Sequence, residues 1–140
     1  MPFQLAVVAN RVSAAIARII EREHGLQIPE WRMMVTLANH APCSGQEVAE
    51  RTAMDPARVS RAQQRLIDLG LATGITDPKD RRRVMLDLTA RGHEIVKRMV
   101  PEALATERRL MATLEPAERQ ALETVMAKLY RETREIESLP

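Results

Sequence analysis

The stretch "MDPARVSRAQQRLIDLGLATGITDPKDRRRVMLDLT", residues 54–89, changes its hydrophobic period part-way through. Up to Leu69 the apolar side chains recur at helical spacing, with Val59, Ala62, Leu66 and Leu69 on one face. Asp55 suits an N-cap, Pro56 the first helical position and Gly70 the stop. Beyond Gly70 the period becomes two. Leu71, Thr73 and Ile75 alternate with Ala72, Gly74 and Thr76, and Val84, Leu86 and Leu88 alternate with Met85 and Asp87. Between these runs "DPKDRR" supplies the Asp and Pro of a turn. The stretch therefore predicts a helix followed directly by a β-hairpin.

Helical signals surround it on both sides. "IPEWRMMVTLANH" begins with Pro29 and places Trp31, Met34, Val35 and Ala38 on one face. "APCSGQE" reads as a loop into a helix start, where Ser44 and Glu47 have capping-box spacing. Three short helices thus run in series between residues 29 and 69. Before them, Leu5, Val8, Val12, Ala15, Ile16, Ile19 and Ile20 form a helical stripe that Gly25 ends. After the hairpin, Thr89 would cap a long helix carrying Ile95, Val96, Met99, Val100 and Leu104, which Pro101 is expected to bend or interrupt. Pro116 starts a last helix with Leu122, Val125, Met126, Leu129 and Ile136 on one side. The fold class is mainly α (α+β), and a helix-turn-helix followed by a hairpin is a winged helix-turn-helix.

The chain has 140 residues, enough for one domain or one domain with a helical extension. Apolar residues make up 45% but aromatics only 2%, so the core must be aliphatic. The net charge of +2 is unevenly spread: Asp55 to Arg83 holds seven basic residues against four acids, which leaves the remainder slightly acidic. Concentrated positive charge suggests an anionic partner. One cysteine, Cys43, excludes an internal disulfide and any multi-cysteine zinc site. His24, His40 and His93 are scattered, so no metal or other cofactor is expected. Cys43 and His40 have the types of a nucleophile and a base, yet nothing supplies an oxyanion hole or an orienting acid. The reading is that the chain is not an enzyme. There is no signal-peptide pattern and no apolar run near membrane-spanning length, so a cytoplasmic location without membrane contact is expected.

The face of the residue 56–69 helix opposite its apolar side carries Arg58, Ser60, Arg61, Gln64 and Arg65. Arginine can pair with guanine O6 and N7, and glutamine with adenine N6 and N7. Arginine is also common on solvated helix faces, so the helix alone does not separate these readings. The hairpin does. It places Lys79, Arg81 and Arg82 beside the helix, where phosphates or a narrow minor groove would attract them. Alternation prevents all three consecutive arginines from pointing one way; Arg81 and Arg82 suit DNA, while Arg83 suits pairing with an acid. Asp77 and Asp80 would shape the turn.

The segments "MDPARVSR", "LIDLGLATG", "DPKDRRR" and "LDLTARG", in this order and spacing, resemble the core of MarR-type transcriptional regulators over residues 25 to 92. In that resemblance Ser60 and Arg61 match the recognition helix, Arg82 the wing arginine of the minor groove, and Asp80 the wing aspartate. Gln27 departs from the threonine N-cap common at the second helix, which implies a weaker helix start. No cysteine stands near the N-terminus, where peroxide-sensing members keep theirs. The resemblance implies an N-terminal dimerisation helix (1–24), a winged helix-turn-helix DNA-binding lobe (25–92) and C-terminal dimerisation helices (93–140). It implies a homodimer reading a pseudo-palindromic operator in double-stranded DNA, with half-sites about 34 Å apart. It also implies a repressor released by a small, aromatic acid-like effector, with Arg11, Arg18, His24 and Trp31 as polar and stacking lining. Two alternatives remain open at this point. One is a redox-sensing regulator using Cys43, which precedes a helix N-terminus. The other is a winged-helix module that docks on protein, for which the arginines would be dispensable.

Overall fold

The first helix, α1 (Pro2–His24), stops where Gly25 takes φ 65°, a left-handed conformation that glycine adopts without penalty. In the computed structural model, which describes residues 1–138, there follow α2 (Ile28–His40), β1 (Cys43–Ser44), α3 (Gly45–Thr52) and α4 (Pro56–Asp68). Then come β2 (Ala72–Thr76), β3 (Val84–Leu88), α5 (Ala90–Met111) and α6 (Pro116–Glu137). The three antiparallel strands lie in the order β1-β3-β2. This is a winged helix-turn-helix with long flanking helices. Two compact units are distinguished: Met1–Ala103 holds the winged helix and α1, and the second unit begins at Leu104.

The helix starts follow the local chemistry. Asp55 accepts the Arg58 N–H at 2.9 Å, and Ser44 and Glu47 cap reciprocally at 3.2 and 3.1 Å. Thr89 Oγ1 accepts the Gly92 N–H at 3.0 Å and donates to the Gly70 carbonyl at 2.7 Å, tying α5 to the end of α4. The α2 start is stronger than expected, because the Glu30 carboxylate accepts the backbone N–H of Gln27. Pro101 does not interrupt α5, which runs unbroken to Met111. Pro101 and Lys97, whose carbonyl loses its partner, are both exposed, so water can take the place of the missing bond.

The core of the first unit is aliphatic: Leu26, Met33, Met34, Leu37, Val48, Leu66 and Leu86 are almost wholly buried. Two expected faces turn out differently. In α2 the buried side is Glu30, Met33, Met34 and Leu37, with Trp31 and Val35 half-buried and Ala38 exposed. Apolar residues surround most of that helix, so periodicity could not choose a side. In α4 Val59, Ala62 and Leu66 are buried but Leu69, at the C-cap, is exposed. In β2 the side facing the core is Ala72 and Gly74, opposite Leu88 and Leu86, while Ile75 is 68% exposed. A Cβ on Gly74 would lie 2.8 Å from Val84 Cγ1, so a larger residue there would require that side chain to shift. The expected loop before α3 contains β1, whose two residues are too short to show alternation; it pairs Cys43 with Leu86 and Ser44 with Met85.

Two helices leave apolar surface exposed. Ile20 of α1 is buried and Ile16 packs against the core, but Phe3, Leu5 and Val8 are exposed. Contrary to the sequence expectation, α1 is long and apolar enough to cross a membrane by length and composition, because alanine and valine fill the gaps between its larger apolar residues. Arg11 and Arg18 lie within it, and charges at membrane depth are costly. In the second unit no described residue of α6 is buried, and Leu122, Val125, Met126, Leu129 and Tyr130 are exposed.

Candidate nucleic-acid interface

Burial of Val59, Ala62 and Leu66 against the core turns the other side of α4 to solvent. Arg58, Ser60, Arg61 and Gln64 are all exposed there. The Gln64 amide donates to Asp68 Oδ1 at 2.8 Å. One amide hydrogen and the amide oxygen stay free, the pair needed for an adenine edge. Arg61, Gln64, Arg65, Asp68 and Leu69 line an open depression of about 340 Å³.

The wing turn is built by its two aspartates. Asp77 Oδ1 accepts the Lys79 N–H at 2.9 Å, and Asp80 Oδ1 accepts the Arg82 N–H at 3.0 Å. Backbone bonds from Asp77 N–H to Arg83 O and from Arg83 N–H to Asp80 O close the turn at 2.8 and 2.9 Å. Asp80 also meets the Arg82 guanidinium at 3.3 Å, while that side chain stays 92% exposed. Such an exposed pair contributes little to stability. Lys79 and Arg81 are exposed beside it.

Arg83 points the other way. Its Nη2 donates to Glu47 Oε1 at 2.9 Å and lies 3.4 Å from Ser44 Oγ, which joins the wing to the start of α3. Arg65 is also paired within the protein: its Nε donates to Glu30 Oε1 at 2.9 Å, while its side chain stays 53% exposed. Sequence reasoning missed both acids. Glu30 and Glu47 each sit three residues after an N-cap, a spacing that signals a cap but says nothing of a distant arginine.

The proposed effector residues are less concentrated. Arg11 and Arg18 are exposed on one face of α1, His24 is half-buried in its last turn, and Trp31 is half-buried against the core. No group of three or more potential metal ligands is gathered among the described residues. Cys43 is 2% exposed in β1, and its thiol donates to the His40 carbonyl at 2.9 Å. Burial raises its pKa, Glu47 and Asp87 add to the rise, and Arg51 opposes it. A buried, protonated thiol is a poor nucleophile, so the geometry opposes redox sensing through Cys43. An aromatic disulfide reagent should therefore leave Cys43 unmodified in the native protein and label it at once in denaturant, read by absorbance. Rapid native labelling would restore the redox reading.

Comparison with known proteins settles the kinship. A model of the MarR family matches residues 24–83, the span from the end of α1 to the wing. This chain belongs to the MarR family. The MarR-type regulator from Acinetobacter sp. ADP1 superposes with a TM-score of 0.88 at 24% identity, over 96% of this chain and 94% of its own. BpsR of Bordetella bronchiseptica, whose DNA binding is regulated by 6-hydroxynicotinic acid, superposes with a TM-score of 0.84 at 29% identity, over 93% and 92%. Among curated relatives, the HTH-type transcriptional repressor NicR of Pseudomonas putida is 31% identical over 69% of this chain, which spans 61% of NicR. These relatives are transcriptional regulators, not enzymes.

Proposed function

We propose that this MarR-family chain is a homodimeric, sequence-specific DNA-binding repressor released by a small aromatic acid-like ligand. The observation that carries the reading is the exposed set Arg58, Ser60, Arg61 and Gln64 on α4, flanked by a wing whose exposed Arg82 meets Asp80. An α-helix fits the major groove, and a wing arginine fits the adjacent minor groove. Lys79 and Arg81 add phosphate contacts.

Exposed apolar surface on α1 and α6 supports division into dimerisation helices (1–24 and 93–140) around a DNA-binding lobe (25–92). A second copy is a better cover for α1 than a bilayer, given Arg11 and Arg18 in its length. The repressor role draws on NicR, and the ligand class on BpsR, whose named regulator is an aromatic acid. Arg11 or Arg18 would pair with its carboxylate, with His24 and Trp31 nearby in sequence. The site of action would be the cytoplasm.

The test is fluorescence anisotropy on a duplex selected by the protein from a random-sequence pool, against a scrambled duplex, at two salt concentrations, with and without 6-hydroxynicotinic acid. Tight, salt-sensitive and selective binding supports the regulator, and release by the acid supports the ligand class. Weak, equal, salt-insensitive binding would favour a protein-docking module. Within this assay Arg82→Ala should lower the dependence of log affinity on log salt by about one unit, as expected for one lost phosphate contact. An unchanged slope would remove Arg82 from the interface.

A further inference from the structure

We propose that Arg65 is a positioning residue rather than a DNA contact: through buried Glu30 it holds α4 on the α1–α2 joint and so sets how Arg61 and Gln64 are presented. The inference rests on the DNA-reading function proposed above and adds to it. The Glu30 side chain is 4% exposed, an unusual place for a carboxylate. Both its oxygens are engaged, Oε2 by the backbone N–H of Gln27 and Oε1 by Arg65 Nε at 2.9 Å. A buried carboxylate without its cation is strongly unfavourable, so the pair holds its two helices in one arrangement.

The guanidinium reaches a second point on the same joint. Arg65 Nη2 lies 3.5 Å from the carbonyl oxygen of Gly25, the residue that ends α1. One planar group thus meets the C-cap residue of α1 and the first turn of α2. Lysine, with a single charged centre, could not reproduce that fork. Arg61 is one helical turn before Arg65, and Gln64 is its neighbour, so a shift of α4 about this anchor displaces both. The joint also connects the reading helix to α1, the helix proposed to pair with a second copy.

The experiment uses the full chain with Glu30→Gln, Arg65→Ala and both together, titrated on the duplex selected by the wild-type protein and on its scrambled counterpart at several salt concentrations. Glu30→Gln keeps the size and one oxygen to accept the cap, and replaces the oxygen facing Arg65 by an uncharged NH2 that cannot accept from the guanidinium. Each single variant should lose about tenfold in affinity for the selected duplex, within the range of coupled networks. The selected-to-scrambled ratio should fall while the salt slope stays that of the wild type. The double variant should lose no more than the worse single one. A purely structural role would lower the melting temperature and leave the ratio of the folded protein intact, which would overturn the proposal. So would a salt slope reduced by about one in Arg65→Ala with Glu30→Gln like the wild type, since that is the signature of a direct phosphate contact. Where Arg65→Ala does not fold, Glu30→Gln decides alone: wild-type affinity and selectivity overturn the proposal. Absence of salt-sensitive binding by the wild-type chain would instead overturn the DNA-reading function, and this inference with it.

Discussion

Gly92→Ala should destabilise the protein by about 3 kcal/mol or more, the upper end of what overpacking a core position costs. Gly92 is buried in the first turn of α5, and a Cβ there would lie 2.1 Å from the Leu71 carbonyl oxygen and 3.3 Å from Leu88 Cβ. The first of these is an obstruction by backbone, which cannot rotate away as a side-chain end could. The same carbonyl accepts the Thr89 N–H at 3.0 Å, so pushing it aside also breaks the link between the α5 start and the end of α4. Breaking that bond adds about 1 kcal/mol. Urea unfolding at fixed protein concentration would read the change as a lower midpoint with an unchanged slope. A midpoint near that of the wild type would mean that α5 can lift from the hairpin at little cost, and the tight packing inferred at Leu71 would be wrong.

The second large effect concerns reading. Arg61→Ala combined with Gln64→Ala should lose about 3 kcal/mol on the selected duplex, roughly a hundredfold, because each bidentate base contact is worth about 1–3 kcal/mol. Both residues are exposed on the outward side of α4, one turn apart, so their removal leaves the core face of Val59, Ala62 and Leu66 untouched. The loss should be much smaller on the scrambled duplex, where phosphate contacts from the wing carry the binding. Anisotropy titrations on the two duplexes measure this difference. An equal loss on both would show that Arg61 and Gln64 serve only as positive or polar surface and that sequence is read elsewhere.

Most of the winged helix was legible because its signals are local. Caps, glycine stops and the change of period after Gly70 each depend on a few adjacent residues, and the structure has α4, the hairpin and the Thr89 cap where those signals lie. The outward set on α4 was legible for the same reason, since the burial of one helical face fixes the opposite one. The wing aspartates were readable from turn chemistry alone, Asp77 and Asp80 each accepting a backbone N–H two residues on. What failed were the choice of side in α2, where apolar residues occupy more than one face, and the inclusion of Leu69 in the inward side of α4, where it stands at the exposed C-cap.

By itself, then, the sequence determined the order of elements, the winged-helix architecture and the residues turned away from the core on α4, because short-range sterics and hydrogen bonding decide those. Only the tertiary structure decided which arginines are also held by an acid of the chain itself. Arg65 and Arg83 look in sequence like their neighbours Arg61 and Arg82, but Glu30 and Glu47, 35 and 36 residues away, take them up at 2.9 Å. An ion pair forms wherever folding brings opposite charges together, and no local pattern records which distant acid will arrive. The same holds for Cys43: before a helix N-terminus the sequence leaves both a reactive and an inert thiol open, and only its placement in β1 opposite Leu86 shows it buried, with its pKa raised.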